Sequence, residues 1–211
     1  MGLANQITIA RGGLALALWG VLHTIDVRGV SEGGLWWVAF ALFIVTAGTD
    51  SLDGYVARKR GEVSVFGRIA DPFVDKILVL GSMIFLLGLE QSRAVLPPWV
   101  VAVTLARELL VTTLRAAVEG QGKNFQASWW GKWKMGIQCL AIGGVILYGA
   151  GMDFVRTPLA DWSWHGADAL PGQWTLARAV CVVAGAFTVL SGVDYSVRAL
   201  RLLRANGAHV G

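Results

Sequence analysis

Four aspartates stand at spacings that suggest shared chemistry. Asp50 and Asp53 lie in Thr49-Asp50-Ser51-Leu52-Asp53-Gly54-Tyr55-Val56-Ala57-Arg58, and Asp71 and Asp75 in Gly67-Arg68-Ile69-Ala70-Asp71-Pro72-Phe73-Val74-Asp75. Separations of three and four residues put each pair on one face of a helix. Both pairs sit at the ends of strongly apolar stretches, where an ionised side chain is costly and is by default a sign of function. The short connection between the two stretches predicts antiparallel neighbours whose acidic pairs face each other, and converging carboxylates repel unless a cation neutralises them. Oxygen ligands suit a hard ion such as magnesium, manganese or calcium, and no nearby Cys or His favours a softer metal. The plainer alternative is a set of helix-end acids paired with Arg58, Lys59, Arg60 and Arg68. That accounts for one aspartate more readily than for four in register. Gly54 follows Asp53, Ala57 lies one turn further on the same face, and Gly67 precedes Asp71 by one turn. A bulky group can approach the backbone there, although glycine in apolar helices also serves packing.

The elements that must position these acids are apolar helices. Of 211 residues, 55% are hydrophobic and only 15% charged, and the mean hydropathy is +0.58. That is more apolar side chain than a core of this size can hide, with too few charges to coat a water-facing surface. A disordered, fibrous or nucleic-acid-binding chain is excluded on the same grounds, so no nucleic-acid partner is expected. Six stretches approach the roughly 20 apolar residues that cross a bilayer: Ile7 to Ile25, Leu35 to Ala57, Asp71 to Leu89, Pro98 to Ala117, Lys132 to Ala150 and Leu176 to Leu200. The fold class predicted is an all-α integral membrane protein with six transmembrane helices, forming one domain over residues 1–211. The first stretch carries one early arginine, Arg11, and no small-residue cleavage site, so it reads as a span rather than a signal peptide. Cys139 and Cys181 both lie in apolar runs and read as small buried hydrophobes.

An even number of spans puts both termini on one side, and the positive-inside rule says which. Of 18 Lys and Arg residues, only Arg28, Arg93, Arg156 and Arg178 fall on the side away from the termini. The termini, and the loops after the second and fourth spans, are therefore expected in the cytoplasm. Apart from Trp19, the tryptophans lie at span ends or in loops, where an amphipathic indole is comfortable. The outer connection from Met152 to Trp174, with Pro158 and Pro171, reads as a partly ordered surface loop without chemistry.

The run D-G-x2-A-R-x8-G-x3-D-x3-D, here Asp53, Gly54, Ala57, Arg58, Gly67, Asp71 and Asp75 with Asp50 three residues ahead, resembles the signature of the CDP-alcohol phosphotransferase family at every fixed position. Asn5, Thr8 and Arg11 resemble that family's amino-terminal N-x-x-T-x-x-R. Ala106-Arg107-Glu108, Leu114-Arg115, Ala127-Ser128, Gly131-Lys132, Lys134, Gln138 and Ser191-Gly192-Val193-Asp194-Tyr195 are similar to the bacterial branch that makes phosphatidylglycerophosphate. Two departures stand out: no proline precedes Asn5, and Met135 replaces a common threonine.

The resemblance implies transfer of a phosphatidyl group from CDP-diacylglycerol to sn-glycerol 3-phosphate with release of CMP, at the cytoplasmic face of a bacterial inner membrane. It implies magnesium or manganese, two ions, held by Asp50, Asp53, Asp71 and Asp75, with Asp75 also acting as catalytic base. Asp53, Gly54, Ala57, Arg58 and Gly67 would take the cytidine nucleotide of the donor. The acceptor phosphate needs a cationic pocket, for which Arg107, Arg115, Lys132 and Lys134 are the candidates, although cations at these helix ends also serve topology alone. Glu108 would neutralise and orient, and Asp194 would pair locally with Arg198, one turn on. A homodimer is a further expectation from the resemblance. The same chemistry with phosphatidylglycerol, inositol phosphate or serine as acceptor stays open. An ion-coupled transporter fits less well, because the acids cluster at one face and no internal repeat is evident.

The charge distribution makes a topological prediction. A single cysteine placed near Glu62 should react with an impermeant thiol reagent only after the membrane is permeabilised, and one near Asp161 should react in intact cells. The opposite pattern would overturn the assignment of sides.

Overall fold

The computed structural model describes the backbone of residues 3–30, 33–60, 65–121, 129–156 and 175–207, and the side chains of residues 5–30, 33–49, 67, 70–121, 133–156 and 175–203. Its elements are α1 (Leu3–Arg28), α2 (Gly34–Arg60), α3 (Val65–Gly88), α4 (Glu90–Arg93), α5 (Pro98–Glu119), α6 (Trp129–Gly149), α7 (Asp153–Arg156) and α8 (Leu176–Gly207). Among the described residues there is no strand, as the composition predicts. The six long helices contain nearly all of the six apolar stretches, and the shorter α4 and α7 lie in the connections. Most of the outer connection from Met152 to Trp174 lies outside the described residues.

Local sequence explains several boundaries. Pro98 opens α5, where its missing N–H would have had no helical partner, and Pro97 ahead of it is extended. Pro72 lies inside α3 beside Asp71 and removes one helical hydrogen bond there. Three of the four arginines expected on the outer side turn onto backbone carbonyls. Arg93 donates from Nε to the Leu87 carbonyl at 3.0 Å and from Nη2 to Gly88 at 3.3 Å, satisfying the end of α3. Arg156 donates to the Tyr148 carbonyl at 3.0 Å near the end of α6, and Arg178 to that of Ala94 at 3.1 Å. These cations meet the orphan acceptors that every helix C-terminus leaves.

Contacts between helices set their relative directions. Thr8 meets Asp71, Gly12 faces Val74, and Trp19 lies on Gly81, so α1 and α3 run parallel. Gly185 faces Trp99 and Gly192 faces Arg107, so α5 and α8 also run parallel. Gln138 bonds Thr188 while Gly144 faces Ala177, which makes α6 and α8 antiparallel; Gly143 against Phe40 and Gly149 against Trp36 do the same for α2 and α6. One set of helices thus comprises α1, α3 and α6, and the opposing set α2, α5 and α8. α2 and α3 meet in their described parts, and α1 packs against both, because Ala15, Leu18, Leu22 and Ile25 give α1 a wholly buried face.

The core is filled by those residues together with Trp36, Phe43, Leu78, Met83, Leu86, Ile142 and Cys181. Large apolar side chains also point outward from every long helix: Leu16 on α1, Ile44 on α2, Phe73 on α3, Leu109 on α5, Leu140 on α6 and Leu190 on α8. By length and composition, two described helices could cross a membrane, Asn5–Arg28 and Leu176–Leu203, and α2 contributes a shorter apolar segment, Gly34–Thr49. α3 and α5 are interrupted by Asp71, Asp75 and Lys76, and by Arg107, Glu108 and Arg115.

Trp19, the one tryptophan placed in mid-span, stacks on Phe85 with ring centroids 5.6 Å apart and lies directly over Gly81. A side chain at Gly81 would collide with a rigid indole. Gly81→Val is therefore expected to cost about 1–3 kcal/mol, seen as a lowered Tm in detergent, whereas Gly20→Ala, where no described residue of another helix would come within 4 Å of the new Cβ, should leave Tm unchanged or slightly raised.

Candidate active site

One end of the bundle gathers the described candidate site residues. The first turns of α1 and α3, the second half of α5, the start of α6 and the end of α8 all meet there, as their directions require. Asp71 and Asp75 lie one turn apart on α3, both partly buried. The Thr8 hydroxyl donates to Asp71 Oδ1 at 2.5 Å. Arg11 places Nη2 3.6 Å from Asp75 Oδ1, with the arginine side chain wholly buried and the aspartate side chain 29% exposed. Asn5, Thr8 and Arg11 are all buried although polar. The sequence marks them as a motif without a role; the signal available was their spacing of three, which keeps polar groups near one face of an otherwise apolar helix.

A second cluster lies on α5 and α6. Arg107 Nη1 is 3.0 Å from Glu108 Oε1, and Lys134 pairs with the same oxygen. All three side chains are at least nearly buried, so Glu108 is shared between two cations. Gly192 of α8 makes room for Arg107: a Cβ there would stand 3.1 Å from the arginine's Cγ. Deeper along α6, Gln138 donates to Thr188 at 3.1 Å, and Thr188 in turn donates to the Ala184 carbonyl at 2.7 Å. Lys76 donates to Thr112, joining α3 to α5. A cleft of about 220 Å³, its open mouth included, connects the two clusters and is lined by Asp75, Lys76, Val79, Leu80, Glu108, Lys134, Met135 and Gln138.

The remaining candidates divide into two groups. Arg115 is 44% exposed, 3.6 Å from Glu119, and lies beside Tyr195; it does not line the cleft with Lys134. Arg198 pairs with Asp194 at 2.9 Å, as the i,i+4 spacing predicts. Gly67 is partly buried on α3. Asp50, Asp53, Gly54, Ala57 and Arg58 belong to the helical backbone of α2, and their side chains, like that of Lys132, lie outside those described, as does the facing of the two acidic pairs. Among the described residues no three His, Cys, Asp or Glu side chains form a metal-binding group; Asp71 and Asp75 are the described members of the four acids. What the described residues offer at the cleft is the Asp75 carboxylate beside Lys76 on one wall and Glu108 paired with Lys134 on the other.

That arrangement, in an all-helical bundle with apolar faces outward, belongs to an enzyme class that works on charged groups at the end of apolar helices. Residues 1–165 match the family model of the CDP-alcohol phosphatidyltransferases, and the chain belongs to this family. It is 35% identical over 202 residues to the CDP-diacylglycerol–glycerol-3-phosphate 3-phosphatidyltransferase of Bacillus subtilis, covering 92% of each chain. It is 40% identical over 165 residues to a probable phosphatidylglycerophosphate synthase of Mycobacterium tuberculosis, covering 78% of this chain and 66% of that one. It is also 28% identical over 192 residues to the CDP-diacylglycerol–glycerol-3-phosphate 3-phosphatidyltransferase of Cereibacter sphaeroides, covering 80% and 84%. The chain is thus an enzyme of a family that uses divalent metal ions.

The shared carboxylate makes a stability prediction. Removing the shared carboxylate leaves two nearly buried cations uncompensated, at about 3–5 kcal/mol, whereas removing Lys134 as well leaves only Arg107 without its anion. Glu108→Gln should therefore lower Tm in detergent more than the double variant Glu108→Gln, Lys134→Gln does. Additive losses in a double-mutant cycle would show the pair to be uncoupled.

Proposed function

We propose that this chain transfers the phosphatidyl group of CDP-diacylglycerol to sn-glycerol 3-phosphate, forming phosphatidylglycerophosphate and CMP. The observation that carries the reading is the cleft that joins Asp75 to the Glu108 and Lys134 cluster, in a chain whose relatives bear that activity in their names. The acceptor hydroxyl oxygen attacks the phosphorus that carries the diacylglycerol, the bond from that phosphorus to the CMP oxygen breaks, and CMP leaves. The hydroxyl proton goes to Asp75. An aspartate is a weak base, so most of the acceleration comes from holding the two substrates in line and stabilising charge.

Arg107, Arg115, Lys132 and Lys134 are assigned to the acceptor phosphate. Lys134 is supported by its position at the cleft, Arg107 by its pairing with Glu108, which lines it, and Arg115 and Lys132 by sequence alone. Asp53, Gly54, Ala57, Arg58 and Gly67 are assigned to the nucleotide of the donor. The donor set of Asp50, Asp53, Asp71 and Asp75 fits hard cations, since all four are carboxylates and Asp71 and Asp75 stand one turn apart. Magnesium or manganese, as two ions, held by these four would neutralise the diphosphate and stabilise the attacking and leaving oxygens.

The same reading makes the chain one domain over residues 1–211 with six transmembrane helices and cytoplasmic termini, in a bacterial inner membrane. Outward apolar side chains on all six long helices and the alternation of their directions support it, since lipid is the solvent that such a surface suits. A lipid donor and a water-soluble acceptor can meet only near the membrane surface. A homodimer is part of the proposal.

The test is CMP release from CDP-diacylglycerol by membranes containing the protein. Glycerol 3-phosphate should support release while phosphatidylglycerol, inositol phosphate and serine do not, and chelation should abolish it. Asp53→Asn and Asp71→Asn should each lower kcat/KM by about 100-fold or more, equivalent to roughly 2.7 kcal/mol of transition-state stabilisation. Full activity in chelator would refute the metal assignment, and release with another acceptor would reassign the substrate.

A further inference from the structure

We propose that Thr8 and Arg11 of α1 are positioning residues for the acidic site: Thr8 orients the carboxylate of Asp71, and Arg11 orients that of Asp75. The inference rests on the reading of these aspartates as metal ligands and base. It starts from burial. Arg11 is wholly buried near the start of an apolar helix, and a guanidinium there is costly unless a carboxylate offsets its charge. Asp75 lies beside it, 3.6 Å away and partly exposed, and Asp75 also lines the cleft. The cation thus approaches from the protein interior and the substrates from the open side. At 3.6 Å the contact is longer than a charge-assisted hydrogen bond, so Arg11 acts more by its charge than by a fixed fork.

Thr8 makes the shorter contact, 2.5 Å to Asp71 Oδ1. It takes one oxygen of that carboxylate and so limits rotation of the group that must present the other. Partners of this kind fix the orientation of metal-binding side chains and are worth about 10- to 100-fold in affinity. The register is held well beyond the two contacts. Gly12 faces Val74 at 3.9 Å, and Trp19 seats on Gly81 and stacks on Phe85 further along the same parallel pair. α1 therefore cannot slide along α3 without unseating the indole. Asn5, at the same three-residue spacing, is buried on the same side.

The full chain in detergent, titrated with Mn2+ and followed by electron paramagnetic resonance, reads metal binding apart from turnover; CMP release reads turnover. Thr8→Val should weaken Mn2+ binding about 10-fold, with Thr8→Ser near the parent. Arg11→Gln should lower kcat about 10- to 100-fold while the KM values of donor and acceptor stay within about threefold, and Arg11→Lys should recover most of the loss. Unchanged Mn2+ affinity in Thr8→Val together with unchanged kcat in Arg11→Gln would overturn the proposal, as would a lowered Tm with both readouts intact in the folded fraction. If Arg11→Gln does not accumulate, Arg11→Lys and the two Thr8 variants decide the matter on the same readouts. Asp71→Asn in the same titration separates the levels. Retained Mn2+ binding there would refute the metal-ligand reading itself, whereas its loss beside an unaffected Thr8→Val would refute positioning alone.

Discussion

The buried guanidinium of Arg11 constrains the whole charged end of this bundle. Taking such a group out of water costs several kcal/mol unless a carboxylate lies beside it, and among the described residues Asp75 provides one. Meeting that demand requires α1 to run parallel to α3 with the amino-terminal turns of both at one end. A parallel pair cannot be formed by consecutive spans, so α2 must return between them in the chain. The same geometry that satisfies Arg11 sets Asp71 against Thr8 and leaves Asp75 at the edge of the cleft.

The rest of the packing follows from a surface that is apolar on both sides of each helix. Where inner and outer faces are equally hydrophobic, burial alone cannot choose which helices meet, and shape must do so. Large rings settle onto glycines. Trp19 lies on Gly81, Trp36 on Gly149 and Trp99 on Gly185, where an added Cβ would stand 2.6 Å from the ring. Trp36 also donates from Nε1 to the Val30 carbonyl at 3.2 Å, so a fully buried indole keeps its polar atom satisfied. These seats hold the helices in register, and the register in turn delivers the polar residues to one end.

The acidic and basic clusters meet at one cleft. Asp75 faces it from α3, and Glu108 and Lys134 face it from α5 and α6. Glu108 keeps Arg107 and Lys134 together, so two cations that would repel each other are held within reach of one anion. Gly192 contributes by letting α8 lie against the stem of Arg107. A residue far along the chain thereby shapes the cationic side without carrying a charge.

Much of this was legible from the chain alone. Runs of apolar residues near the length of a bilayer define the six long helices, because helix length and hydropathy are local properties. The pairing of Asp194 with Arg198 is local too, four residues on one helix. The family could be read because its signature lies within 26 consecutive positions, Asp50 to Asp75. Tertiary structure decided the rest. Thr8 and Asp71 are 63 residues apart, and Lys134 and Glu108 are 26 apart; no periodicity connects them. That α1 packs against both α2 and α3 depends on which of several equally apolar faces fits a neighbour's shape. So does the separation of Arg115, half-exposed beside Glu119, from the buried pair of Arg107 and Lys134 on Glu108. Sequence sets which groups need partners, and packing across helices selects the partners they find.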